Sequence, residues 1–124
     1  MCPEKNQVLI VEDERLARNA LTMLLAEQGY NARSYASAEA LLDEVERQGI
    51  PPEVVLADVD LPGMSGLEML ENLARRHPKA RAVLITAAEG NEIEDFCRDY
   101  PCQYLRKPLN LNLLLSLLSS ERAA

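Results

Sequence analysis

Val54-Val55-Leu56-Ala57-Asp58-Val59-Asp60-Leu61-Pro62-Gly63 is the stretch that decides the fold. Its first four residues are apolar without alternation, the pattern of a strand covered on both faces. A carboxylate then closes the strand, and Pro62-Gly63 turns the chain sharply. A doubly covered strand that ends in an acid places chemistry at the carboxyl edge of a parallel sheet, where open α/β folds bind their ligands.

Working outward, two further runs match the first: Val8-Leu9-Ile10-Val11 and Ala82-Val83-Leu84-Ile85. Weaker strands are expected at Ala32-Arg33-Ser34-Tyr35 and Cys102-Gln103-Tyr104-Leu105-Arg106. Helical patterns lie between them. Leu16, Ala20, Met23 and Leu24 form one stripe, stopped by Gly29. Ala38, Leu41, Leu42 and Val45 form the next, ending near Gly49 and Pro51-Pro52. Ser65-Gly66-Leu67-Glu68 reads as a capping box ahead of Leu67, Leu70, Leu73 and Ala74. A short, charged fourth helix is expected from Asn91 to Tyr100. The last starts at Asn110, a good N-cap, and turns Leu111, Leu114, Leu115 and Leu118 toward the sheet. Five β-α repeats without linkers or internal repeats predict one α/β domain over residues 1–124, with a parallel sheet and helices on both faces.

The totals agree with a soluble fold. The chain has 124 residues, 48% of them hydrophobic and 27% charged, enough for one core without staples. A net charge of −7 and the absence of a basic stripe argue against direct nucleic-acid binding. No apolar run approaches the ~20 residues needed to span a bilayer, and Met1-Cys2-Pro3-Glu4-Lys5-Asn6 lacks the apolar core of a signal peptide. A cytoplasmic protein without membrane contact is expected. Cys2, Cys97 and Cys102 are odd in number and lack C-x-x-C spacing, so they read as reduced thiols rather than a disulfide framework or zinc site.

The residues just after each strand are chemically coherent. Glu12 and Asp13 follow the first, Asp58 ends the third, Thr86 follows the fourth, and Lys107-Pro108 follow the fifth. Converging carboxylates repel in a partly desolvated crevice. A hard cation such as Mg2+, with Mn2+ as the alternative, offsets that repulsion and is commonly completed by phosphate. Lys107 and Thr86 suit phosphoryl oxygens, as a compact charge and a hydroxyl donor. A carboxylate is left as nucleophile. The open loop after Asp58 favours it as acceptor, and the adjacent Glu12 and Asp13 favour metal binding.

Val11-Glu12-Asp13-Glu14, Asp58-Val59-Asp60-Leu61-Pro62-Gly63-Met64-Ser65-Gly66, Thr86-Ala87 and Tyr104-Leu105-Arg106-Lys107-Pro108 together resemble the receiver domains of two-component response regulators, from Gln7 to Ser120. The resemblance implies a flavodoxin-like, doubly wound (βα)5 sandwich with strand order 2-1-3-4-5. It implies that Glu12, Asp13, Asp58 and the backbone carbonyl of Asp60 hold Mg2+. Asp58 would accept a phosphoryl group from a sensor histidine kinase or phosphotransfer protein, and an output domain or downstream protein would read the result. Thr86 and Tyr104 would be the switch pair, and the Lys107–Pro108 peptide would be cis.

Three positions depart from the family pattern: Glu12 where Asp is usual, Asp99-Tyr100-Pro101-Cys102-Gln103 in place of a small Gly-Ala turn, and Ala88 where polar residues tune phosphoryl lifetime. Leu113 and Leu117 fall opposite the sheet-facing stripe of the last helix and are candidates for a homodimer or partner surface. His77, at a helix end, suggests no role beyond a favourable interaction there. Two rivals stay in view. A haloacid-dehalogenase-like phosphohydrolase would use Asp58-Val59-Asp60 as its D-x-D. A receiver-like module that is never phosphorylated would only bind partners.

Overall fold

The computed structural model describes residues 7–49, 51–87, 91–100 and 102–122. Cys2, Ala88 and Pro101, considered above, lie outside them. The strands are β1 (Gln7–Val11), β2 (Asn31–Tyr35), β3 (Val54–Asp58), β4 (Arg81–Thr86) and β5 (Cys102–Arg106). Helices α1 (Arg15–Glu27), α2 (Ala38–Gln48), α3 (Gly66–Arg76), α4 (Asn91–Asp99) and α5 (Leu111–Arg122) alternate with them. All strand pairs are parallel, in the order β2-β1-β3-β4-β5.

Strand periodicity sorts the apolar side chains into two layers. Leu9, Val11, Val55, Ala57 and Leu84 face α2, α3 and the buried Ile93 of α4. Val8, Ile10, Leu56, Val83 and Ile85 face α1 and α5, where they meet Leu21, Leu25, Leu114 and Leu118. Every residue of β3 is buried, so the strand that carries Asp58 is clamped from both sides.

Local chemistry ends the helices at the expected Ser65, Asn110, Gly29 and Gly49, and Ser37 adds a further cap. The Ser37 and Ser65 hydroxyls accept from the Ala40 and Glu68 amides and cap α2 and α3. The Asn110 side chain accepts from the Leu113 amide at 3.1 Å. Gly29 and Gly49 close α1 and α2 with φ of 92° and 68°, a left-handed conformation costly to other residues.

The structure corrects two helix faces and extends a third. On α1 the expected stripe points outward: Leu16 is 76% exposed, Met23 63% and Leu24 39%, and Ala20 is exposed with them. Leu21 and Leu25 form the buried face instead. The helix is apolar on two sides, and the path of the chain out of β1 selects between them. On α5, Leu113 is exposed as expected, but Leu117 packs against the core. Its carbonyl also accepts from Arg81 Nη2 at 3.0 Å, so the candidate dimer face keeps only one of its two leucines. On α3, Met69 is buried alongside Leu70 and Leu73, a position the expected stripe omitted.

Candidate functional site

The carboxyl ends of β1, β3, β4 and β5 are adjacent, which brings Glu12, Asp13, Asp58, Thr86 and Lys107 to one edge. Backbone bonds beyond the strands hold the loops there. The Val59 amide donates to the Ile85 carbonyl at 2.9 Å, Lys107 to Thr86 at 2.9 Å, and Glu12 to Tyr35 at 3.1 Å. These bonds continue the sheet ladder by one residue, so the side chains that follow each strand are positioned nearly as firmly as the strands.

Asp58 is the centre. It is only 4% exposed, and a carboxylate at that depth requires partners. Oδ2 accepts from Lys107 Nζ at 2.7 Å, and Oδ1 accepts from the Asp60 amide at 2.9 Å. The first is short, charge-assisted geometry between two groups that meet across β4. Carboxylate oxygens of Glu12, Asp13 and Asp58 all lie within 4.8 Å of one another. Burial pushes the Glu12 carboxyl above its ordinary range, with Asp13 and Asp58 adding to the rise against the pull of the Glu14 amide and Lys107. Chiefly through its hydrogen bond to Asp58, the Lys107 ammonium is held more firmly protonated than usual.

This is an all-oxygen donor set with more negative charge than Lys107 alone neutralises, and it fits a hard divalent cation. Glu12, Asp13 and Asp58 are therefore a group that could hold a metal ion. Thr86 is fully buried at the end of β4. The Asp60 side chain is exposed while its amide holds Asp58, an arrangement unlike the inward-pointing second carboxylate expected of a D-x-D phosphohydrolase. The Lys107–Pro108 peptide is cis. The Tyr104 hydroxyl donates to Glu94 Oε1 of α4 at 3.1 Å, which raises the phenol above its ordinary pKa.

Two contributors escaped the sequence reading. A Cβ added to Gly66 would lie 2.6 Å from the Asp58 carbonyl oxygen and 3.1 Å from Val59 Cα. Only glycine lets the start of α3 close onto the loop after β3, and the Gly66 amide donates to the Val59 carbonyl at 3.2 Å. Arg18, one turn into α1, donates from Nη1 to the Glu12 carbonyl at 3.0 Å and so braces the acidic loop. Gly66 in the capping box was a visible signal; Arg18 offered none.

A family model described as the response regulator receiver domain matches residues 8–119. The chain belongs to this family. Among curated relatives, this receiver domain is 36% identical over 116 residues to the transcriptional regulatory protein AruR of Pseudomonas aeruginosa, covering 89% of the chain and 46% of the relative. It is 35% identical over 115 residues to the response regulator protein FleR of the same organism, covering 91% of the chain and 24% of the relative. The receiver domain thus spans less than half the length of these relatives. Among solved structures, a CheY-like response regulator receiver domain protein from Methanospirillum hungatei superposes with a TM-score of 0.83 at 25% identity, covering 94% of this chain and 92% of that one. Among the described residues, no helix is long and apolar enough to cross a membrane.

Proposed function

We propose that Asp58 is the phosphoacceptor of this receiver domain, charged in a Mg2+-dependent reaction from the phosphohistidine of a sensor histidine kinase or phosphotransfer protein. The observation that carries the reading is the buried Asp58 carboxylate held between Lys107 Nζ at 2.7 Å and the Asp60 amide at 2.9 Å, beside two further acids. An Asp58 oxygen attacks phosphorus while the P–N bond to the donor imidazole breaks. The leaving nitrogen keeps the bonding electron pair and takes up a proton. Lys107 then exchanges its carboxylate partner for a phosphoryl oxygen, and Thr86 donates its hydroxyl to another. Glu12, Asp13, Asp58 and the Asp60 carbonyl would hold the divalent ion, which supplies positive charge against the phosphoryl oxygens. The chain acts as a switch that assists its own phosphorylation and hydrolysis, not as a metabolic enzyme.

The readout begins at Thr86 and Tyr104. Movement of the Thr86 hydroxyl toward the phosphoryl group vacates space behind it, and Tyr104 turns inward, giving up Glu94. Phosphorylation thereby shifts an equilibrium between two arrangements of the α4–β5 surface, which an output domain or downstream protein distinguishes.

Intact mass after incubation with acetyl phosphate tests the reading. One phosphoryl adduct is expected, dependent on Mg2+ and absent in Asp58→Asn. A folded protein that gains no adduct under any condition would leave a partner-binding module. Sustained turnover of a phosphate ester would instead favour the phosphohydrolase.

A further inference from the structure

At the end of the sheet opposite Asp58, two thiols from different elements face each other. Cys97 lies in the last turn of α4, and Cys102 is the first residue of β5. Their Sγ atoms are 2.8 Å apart, against about 2.05 Å for a disulfide bond. Both are free and half-buried in the layer beneath α4. Cys102 also lines a cleft of about 290 Å3, together with Pro78, Lys79, Arg81 and Gln103.

We propose that Cys97 and Cys102 form a reversible intramolecular disulfide that pins α4 against β5 and holds Tyr104 at Glu94. The coupling to Tyr104 rests on the switch described under Proposed function; the thiol pair itself does not. Glu94 and Cys97 are one helical turn apart on α4, and Cys102 and Tyr104 are two residues apart on one face of β5. The Tyr104–Glu94 hydrogen bond and the thiol contact are therefore parallel ties between the same two elements. A covalent second tie resists any shift of α4 that would let Tyr104 leave Glu94.

A peroxide balances the chemistry. Cys97 sulfur attacks one peroxide oxygen, the O–O bond breaks, and a sulfenic acid forms with release of water. Cys102 sulfur then displaces the sulfenic hydroxyl, which leaves as a second water with the Cys102 proton. The two thiols lose two electrons, and the peroxide gains them. Burial and the contact with Cys97 push the Cys102 thiol above its ordinary range, and the same balance holds with the two sulfurs exchanged.

The test treats the protein with hydrogen peroxide, blocks residual thiols with maleimide and maps tryptic peptides without reduction. Cleavage after Arg98 places the two cysteines on separate peptides. Joined peptides are expected, released by dithiothreitol and absent in Cys97→Ser and Cys102→Ser, each checked for folding by circular dichroism. Maleimide on Cys102 after oxidation, or pairing of Cys97 with Cys2 or a second molecule, would overturn the pair. In the second arm, beryllium trifluoride with Mg2+ is titrated into reduced and oxidised protein. Binding at least about fivefold weaker in the disulfide form, restored by dithiothreitol, is expected. Equal affinity would overturn the coupling. Failure of the reduced protein to bind would count against the Asp58 reading, while the peptide map would still decide the thiol pair.

Discussion

The centre and the β5 edge of the sheet are built for different tasks. Every residue of β3 is buried, whereas none of β5 is. Asp58 and Thr86 sit at the ends of the clamped central strands, where neighbours on both faces fix their positions. Tyr104 and Lys107 come from or follow the half-exposed edge strand, which has a sheet neighbour on only one side. The charged helix α4 covers β5, with Ile93 as its buried anchor. The proposed acceptor Asp58 and Thr86 sit on the rigid part, Lys107 reaches Asp58 from the edge, and the proposed response sits where a small free-energy change can alter packing.

That contrast can be broken from the centre first. Leu56→Ala removes a fully buried side chain between β3 and the α1–α5 layer. It should cost about 2–5 kcal/mol in urea unfolding, whereas Leu113→Ala on the surface of α5 should change stability by less than about 0.5 kcal/mol. Comparable losses at both positions would contradict the assignment of the core. Gly66→Ala comes next. Its Cβ would meet backbone that cannot swing aside, so a loss of about 1–3 kcal/mol is expected, with a slower Asp58 reaction because the loop after β3 must move. Wild-type stability with an unchanged phosphorylation rate would show that this close approach is unimportant.

The smallest effect sharpens the description of the edge. In Glu94→Gln the Tyr104 phenol should fall back toward its ordinary value of 10.0, because its hydrogen bond to a carboxylate is what chiefly favours the protonated form. A raised phenol is protonated more readily in the folded state, so its contribution is present at neutral pH and is lost as pH rises through the folded value. Ultraviolet titration against Tyr104→Phe isolates this tyrosine. An unchanged titration would mean that the Tyr104–Glu94 bond is not maintained in solution.

Much of this architecture was legible because it is written in local chemistry. Unalternating apolar runs marked β1, β3 and β4, and Ser65, Asn110, Gly29 and Gly49 marked helix ends. Glu12, Asp13, Asp58, Thr86 and Lys107 could be named as one group because a parallel sheet must bring the ends of its strands to one edge. The weaker strands were legible too, β5 over its whole observed span and β2 but for its first residue, although half-buried edges carry polar residues that blur the pattern.

The sequence by itself therefore determined the order of elements, their punctuation and the residue types available at the site. Tertiary structure decided which face of each helix turned inward. Apolar residues on two sides of α1 leave helical periodicity degenerate, and the burial of Leu21 and Leu25 over Leu16 and Met23 is set by how the helix docks on β1 and β2. Docking likewise drew Leu117 into the core and brought Cys97 to Cys102. It also made Gly66 indispensable beneath Asp58. These outcomes depend on contacts between segments distant in the chain or on the angle at which they meet, and local propensity carries neither.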